Sequence, residues 1–252
     1  MQRNGVASMK RLFADLHLRL NLKSSANASR IINKAAKLGY RLVAVPLSPE
    51  TRENETVTLR SMCSEAKIDF ASRVDIKPKT HSDLMRQLRR LRRKFEVICV
   101  ICENKEVARQ AAKDRRVDLL NFPSLDFRRR FFDRAEAELA SNSIAALEVD
   151  IKPLLVLEGP ARVRLLSSLR RETAIAKEFH VPIVVSSGAT MEMLLRKPRE
   201  QAALASLFDM GEASALETVS QNPMLIVKRN KQKLSSKFVA PGIRVIKEGK
   251  ES

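Results

Sequence analysis

Seven short apolar runs alternate with longer amphipathic stretches from Lys10 onward, and this alternation restricts the fold more than any other feature of the 252-residue chain. The runs cover residues 12–18, 42–47, 68–76, 97–102, 117–122, 144–151 and 183–186. Several are apolar at successive positions, as strands covered on both faces must be. The stretches between them repeat apolar residues every three or four positions, the period of a helix lying on a core. Residues 25–38 place Ala28, Ile31, Ala35 and Leu38 on one side, with Gly39 positioned to end the helix. Further helices are expected over 54–66, 83–95, 105–116, after Arg128-Arg129-Arg130, and over 158–179, with helices dominating 198–231. Parallel strands need crossovers of this kind, so the pattern describes successive βα units.

Such units build either an open doubly wound sheet or a barrel. An open sheet of this type normally carries a glycine-rich nucleotide turn after its first strand. With seven glycines and no GxGxxG or GxxxxGK[ST] pattern, neither a dinucleotide nor a P-loop site is supported. The expected fold is therefore an α/β, TIM-barrel-like parallel βα barrel with seven clear strands, no convincing eighth, and extra C-terminal helices. The length suits one such barrel over 1–252, with a short N-terminal tail at 1–9 and a polar, basic, partly mobile tail from about 235 to 252.

Charge narrows the function. The 47 Lys and Arg against 29 Asp and Glu give a formal charge of +18. Self-repulsion of that size disfavours a compact state unless a polyanion neutralises it, and the cations are spread along the chain rather than gathered beside an apolar span. Nucleic acid is the expected partner, and a membrane is not. No Trp and one Tyr argue against base stacking as the principal device, which leaves phosphate contacts. The densest cationic stretch is 83–95, DLMRQLRRLRRKF. Leu84, Leu88, Leu91 and Phe95 fall on one helical face, while Arg86, Arg90 and Lys94 stack four apart on another, where like charges repel until an anion joins them. The wider basic set is Arg73, Lys77, Arg86, Arg89, Arg90, Arg93, Arg109, Arg116, Arg170 and Arg199, with Arg115, Arg128 to Arg130, Arg162 and Arg171 nearby in sequence. Three cysteines, no apolar leader in MQRNGVAS and no run of ~20 apolar residues fit a soluble, cytoplasmic protein.

Three groups invite an enzymatic reading. Asp15-Leu16-His17 ends the first strand, where barrel enzymes collect catalytic groups, and residues two apart share a strand face. A metal-dependent phosphoesterase needs several converging His and carboxylate ligands, however, and only His17, His81 and His180 are available. The expectation is that Asp15 and His17 hydrogen-bond to each other or to neighbouring strands. Cys99 and Cys102 have CxxC spacing, but residues three apart on a strand face opposite ways, so plain packing is expected. Ser186-Ser187-Gly188 follows the seventh strand, where loop amides of many barrels hold phosphate.

The C-terminal half carries a resemblance. Pro153-Leu154-Leu155, Leu165-Leu166, Leu169 to Ala176 as LRRETAIA, and Val181-Pro182-Ile183-Val184-Val185-Ser186-Ser187-Gly188-Ala189 resemble the barrel-subunit family, component 3, of archaeal and eukaryotic ribonuclease P. Lys197-Pro198-Arg199-Glu200, Asn222-Pro223, Lys228-Arg229-Asn230-Lys231 and Val239-Ala240-Pro241-Gly242 continue it in order. Asp15-Leu16-His17, Arg109 and Val117-Asp118-Leu119-Leu120 extend it through the N-terminal half. The resemblance implies a PHP-type barrel that binds ribonuclease P RNA and assists removal of the 5′ leader from precursor tRNA, with the RNA performing the cleavage. It also implies other ribonuclease P protein subunits as partners, especially a small α/β subunit, and no protein-bound cofactor, Mg²⁺ being carried by the RNA. Arg73, Arg109 and Arg170 match basic positions of the family pattern. The related PHP phosphoesterases open with His-x-His, where this chain has Asp15, so a metal-dependent phosphoesterase is the alternative the resemblance leaves behind.

Overall fold

In the computed structural model, described over residues 11–235, 237–240 and 243–244, all seven apolar runs are strands of one parallel sheet. They are β1 (Phe13–Asp15), β2 (Tyr40–Pro46), β3 (Asp69–Ile76), β4 (Val97–Ile101), β5 (Leu119–Asn121), β6 (Ala146–Asp150) and β7 (Ile183–Ser186), and each pairs with the next in sequence order. Between them lie α1 (Ser25–Leu38), α2 (Glu53–Glu65), α3 (His81–Leu91), α4 (Lys105–Lys113), α5 (Arg134–Ser141), the short α6 (Lys152–Val156) and the 20-residue α7 (Gly159–Glu178). After β7 come α8 (Pro198–Leu204), α9 (Glu212–Thr218) and α10 (Gln221–Leu234). This is a nearly closed TIM-barrel-like α/β fold.

Local chemistry sets the element ends. Ser24 Oγ accepts from Asn27 N to start α1, and Gly39 ends it at φ 104° with its amide on the carbonyls of Ala35 and Ala36, a left-handed turn that suits glycine. Asn104 caps α4 through Val107 N, and Thr80 caps α3 through Asp83 N.

The period-2 alternation of the strands separates two apolar layers. On β4, Val97, Cys99 and Ile101 point into the barrel with Ala14, Leu42, Ala71 and Leu119, while Ile98 and Val100 point outward to the helices. Cys102 joins the outer layer, so the CxxC sulfurs lie on opposite sides of the strand, and burial pushes both thiols well above their usual value.

Two features replace the missing eighth strand. β7 does not pair with β1. Instead Ala14 N donates to Val219 O (2.9 Å), Asn222 Nδ2 donates to Ile183 O (2.8 Å), and Arg19 N donates to Ala189 O (2.9 Å), so the turn into α10 and the loop after β7 satisfy edge groups that a strand would otherwise pair. α10 then crosses the end of the barrel where the strands begin, and its Ile226 and Val227 complete the interior apolar layer. Within the basic C-terminal stretch, β8 (Phe238–Ala240) pairs antiparallel with β9 (Ile243–Arg244). The N-terminal tail 1–9, Pro241-Gly242 and 245–252 lie outside the described residues. Among the described residues no helix is long and apolar enough to cross a membrane.

Candidate nucleic-acid interface and the barrel mouth

The C-terminal ends of the strands bring together a polar group that the sequence reading only half anticipated. Arg73 and Asp75 on β3, like Glu148 and Asp150 on β6, are two residues apart and therefore face the interior together. Arg73 is 0% exposed. Its Nη1 and Nη2 donate to the two oxygens of Glu148 at 2.5 and 2.6 Å, its Nε to Asp75 Oδ1 at 2.6 Å, and Nη1 also to Leu16 O at 2.7 Å. Glu148 receives further donors from Ser186 Oγ (2.7 Å), Asn121 Nδ2 (3.0 Å) and Cys99 Sγ (3.5 Å). A carboxylate can be buried at low cost only when it is saturated in this way.

His17 stands beside this pair. Its Nδ1 is 2.8 Å from Asp150 Oδ1, and its Nε2 is 3.3 Å from Asp75 Oδ2, an ion-pair separation. Burial and the Arg73 guanidinium pull its pKa down, but Asp150, aided by Asp75, more than reverses this and sets it at about 9. His17 is thus an imidazolium that donates through Nδ1 to Asp150 and pairs by charge with Asp75, to which its Nε2 makes no hydrogen bond. Asp15 is fully buried and accepts from His17 N (3.1 Å) and Ser187 N (3.0 Å). The Ser186-Ser187-Gly188 loop turns inward as well. Ser187 Oγ donates to His17 O, and Gly188 adopts φ +60° with Asp150 only 3.3 Å from where a Cβ would sit. The loop therefore secures the mouth rather than offering its serines to a phosphate.

His17, Glu148 and Asp150 lie close enough together to share a cation. Their donors are already committed. Both Glu148 oxygens are held by Arg73, and His17 Nδ1 by Asp150, so a divalent ion entering here would have to displace a bidentate guanidinium and deprotonate His17. The residues do not fit a resident metal; Arg73 and His17 supply the positive charge at that position.

The position of Arg73 corrects the sequence reading, which placed it on the nucleic-acid surface. A strand arginine with 0% exposure cannot reach a phosphate. Arg130 is likewise not a surface cation: it is buried and holds Glu172 of α7 at 2.7 and 2.5 Å. The remaining basic positions divide by geometry. Arg86 (80% exposed), Arg89 and Arg90 on α3, and Arg93 in the turn that follows it, project into solvent, while Leu84, Leu88 and Leu91 are fully buried, so the amphipathic face is oriented as the spacing required. Among the described residues, the ion pairs these four arginines make are Arg86 with Asp83 (2.7 Å) and Arg90 with Glu50 (3.7 Å). His81, Ser82 and Met85 join Arg86, Arg89 and Arg90 around a shallow groove along this helix. Lys77, Arg170 and Arg199 are also exposed, the first pairing with Glu103 and the second with Asp209.

Arg116 and Arg109 are half-buried and paired. Arg116 binds Asp114 and touches Met85 Sδ, which places it against α3. Arg109 spans Asp133 (2.7 Å) and Glu136 (3.1 Å). Glu136 is fully buried with one oxygen unpartnered, and burial pushes its pKa up to about 8 despite Arg109, with Asp133 adding to the rise. A carboxyl raised in the folded state costs stability as pH rises from its unfolded value towards 8. Glu136→Gln is therefore expected to stabilise by about 1 kcal/mol at pH 7 and by nothing below about pH 4.5, where both states are protonated. Thermal unfolding at the two pH values checks this; equal changes at both would contradict it.

Taken together, the fold and site define a parallel α/β barrel whose mouth is neutralised by its own ion pairs and whose exterior carries a cationic helix. Residues 12–235 match the family model for RNase P subunit p30, and the chain belongs to that family. It is 36% identical over 160 residues to ribonuclease P protein component 3 of Methanosarcina barkeri, a match spanning 64% of this chain and 66% of that protein. Similarity to the protein of the same name from Methanococcoides burtonii is 27% over 236 residues, or 94% and 95% of the two chains. A chain in the cryo-EM structure of archaeal ribonuclease P with mature tRNA superposes with a TM-score of 0.81 at 24% identity, covering 94% of this chain and all of the other.

Proposed function

We propose that this chain is a protein subunit of ribonuclease P that binds the catalytic RNA through its cationic exterior and so assists removal of the 5′ leader from precursor tRNA. The observation that carries this reading is the contrast between the two ends of the charge distribution: the mouth satisfies itself, while Arg86, Arg89, Arg90 and Arg93 face solvent with few carboxylates near them. The protein contributes phosphate contacts, and cleavage belongs to the RNA, which carries the Mg²⁺. Other ribonuclease P subunits, including a small α/β protein, are its expected neighbours in the cytoplasm; component 3 relatives bearing that name support this assembly.

The test is equilibrium binding of the full chain to ribonuclease P RNA across a salt series, with an unrelated structured RNA as competitor. Each phosphate neutralised contributes about 0.7–0.9 to the slope of log affinity against log salt, so four arginines predict a slope of about −3 or steeper. Preference for ribonuclease P RNA is expected. A shallow slope, or equal affinity for the competitor, would overturn the reading.

A further inference from the structure

The end of the barrel opposite the mouth holds a second concentration of cations, centred on Asp118. This residue precedes β5, is fully buried and is saturated: Oδ2 accepts from Arg92 Nη1 (2.5 Å) and Ile98 N (2.9 Å), and Oδ1 from Arg229 Nη2 (2.8 Å) and Asn230 Nδ2 (2.7 Å). Arg92 sits at the C-terminal cap of α3, and Arg229 on α10. One carboxylate thus anchors two guanidinium groups and ties α10 to the barrel.

Two more cations stand over this anchor without a carboxylate of their own. Lys233 follows Arg229 by four residues, one turn along the same side of α10, a helix with Lys228, Arg229, Lys231 and Lys233 and no acidic residue. Arg115 lies in the turn between α4 and β5, next to Arg116, whose carbonyl accepts from Arg92 Nη1 at 3.1 Å. Both are exposed, and neither forms an ion pair among the described residues. Asp114, next to Arg115 in sequence, is taken up by Arg116. Partial burial, and then Arg229, Arg92 and Arg115, pull the Lys233 ammonium below its usual pKa against the opposing effect of Asp118, which is the response of a lysine to an excess of positive charge.

We propose that Arg115 and Lys233, over the platform that Asp118 makes of Arg92 and Arg229, form a phosphodiester-binding site for the RNA backbone at the strand-start end of the barrel. The site rests on the reading that the chain binds RNA, and it extends the footprint beyond α3. Its chemistry favours a nucleic-acid backbone over an acidic protein segment because the cations form a track. Arg86 and Arg90 on α3 and Arg93 just past its end span seven residues, about 10 Å of helical rise, and Arg92 joins that helix to the basin. A long series of positive groups matches a polymer with a charge at every residue.

The experiment compares the full-length Arg115→Ala/Lys233→Ala variant with wild type and with Lys34→Ala/Lys37→Ala, which removes two exposed cations from α1. Among the described residues none of the four side chains forms an ion pair or a side-chain hydrogen bond, and circular dichroism melts verify that all three proteins are equally folded. Binding to ribonuclease P RNA is measured over a salt series, with polyglutamate as a second probe. The expected result is about tenfold weaker RNA binding for the Arg115/Lys233 pair and a slope smaller in magnitude by about 1.4–1.8, with the α1 pair unchanged. Unchanged RNA binding by the Arg115/Lys233 pair, an equal loss in the α1 pair, or loss of polyglutamate binding alone would each overturn the site while leaving the RNA-binding reading intact. Absence of RNA binding by the wild-type chain would overturn both.

Discussion

Arg73→Ala is expected to destabilise the protein by about 3–5 kcal/mol, the range for removing one partner of a buried ion pair. For a chain of this size that is a fall of about 10 °C in Tm. The change removes four hydrogen bonds and leaves Glu148 and Asp75 facing each other across the barrel with only His17 to offset them. Arg73→Lys restores one charge but not the two-pronged contact to Glu148, so an intermediate loss is expected. The pH dependence follows from the same group. His17 is raised to about 9 from 6.5, so its contribution is complete below about pH 6.5 and is lost as pH rises through 9. Asp75 is pushed up by burial but held well below the usual carboxylate range by Arg73 and His17, so its contribution is complete above that range and is lost as pH falls. Thermal melts of the wild type should therefore be highest between about pH 5 and 6.5 as far as the mouth is concerned. A stability of Arg73→Ala within 1 kcal/mol of wild type would show that the guanidinium is not what neutralises the mouth.

Changing Arg86, Arg89, Arg90 and Arg93 together to alanine is expected to weaken ribonuclease P RNA binding by about 100- to 1,000-fold near physiological salt, at roughly 1 kcal/mol for each arginine–phosphate interaction removed. The salt slope should fall by about 3. Stability should hold, because Leu84, Leu88 and Leu91 keep the helix on the core while the like-charged pairs Arg86–Arg90 and Arg89–Arg93 disappear, and alanine favours the helix. Weakened binding at an unchanged Tm separates an interface from a fold defect.

Much of this architecture is legible in the sequence because it is periodic. The alternation of apolar runs and three-to-four repeats locates all seven strands, and the absence of an eighth run corresponds to a real opening that α9 and α10 close. The spacing within 83–95 correctly turns the leucines inward and Arg86, Arg89, Arg90 and Arg93 outward. Charge by itself carries no such direction. Arg73 reads like any other cation, yet its partner Glu148 is 75 positions away, and only the barrel brings them together. A usable signal was present in the two i, i+2 pairs Arg73/Asp75 and Glu148/Asp150 at strand ends, since charged residues at that spacing face one interior. Arg92 differs from Arg93 by one position but turns toward Asp118 rather than solvent, a fate set by the start of β5 and by α10. The five-residue α6 is too short to display a period at all.

The most direct measurement is precursor-tRNA leader removal by ribonuclease P reconstituted from its RNA and protein subunits, with this chain supplied as wild type, as the four-arginine α3 variant, or as a mouth variant carrying His17→Gln. The assay is run at a temperature where melts show all three to be folded. Loss of the protein's stimulation in the α3 variant, with the His17→Gln protein still active, is the predicted result. Full stimulation by the α3 variant together with loss in the His17→Gln protein would contradict it, and would move the function from the cationic exterior to the barrel mouth.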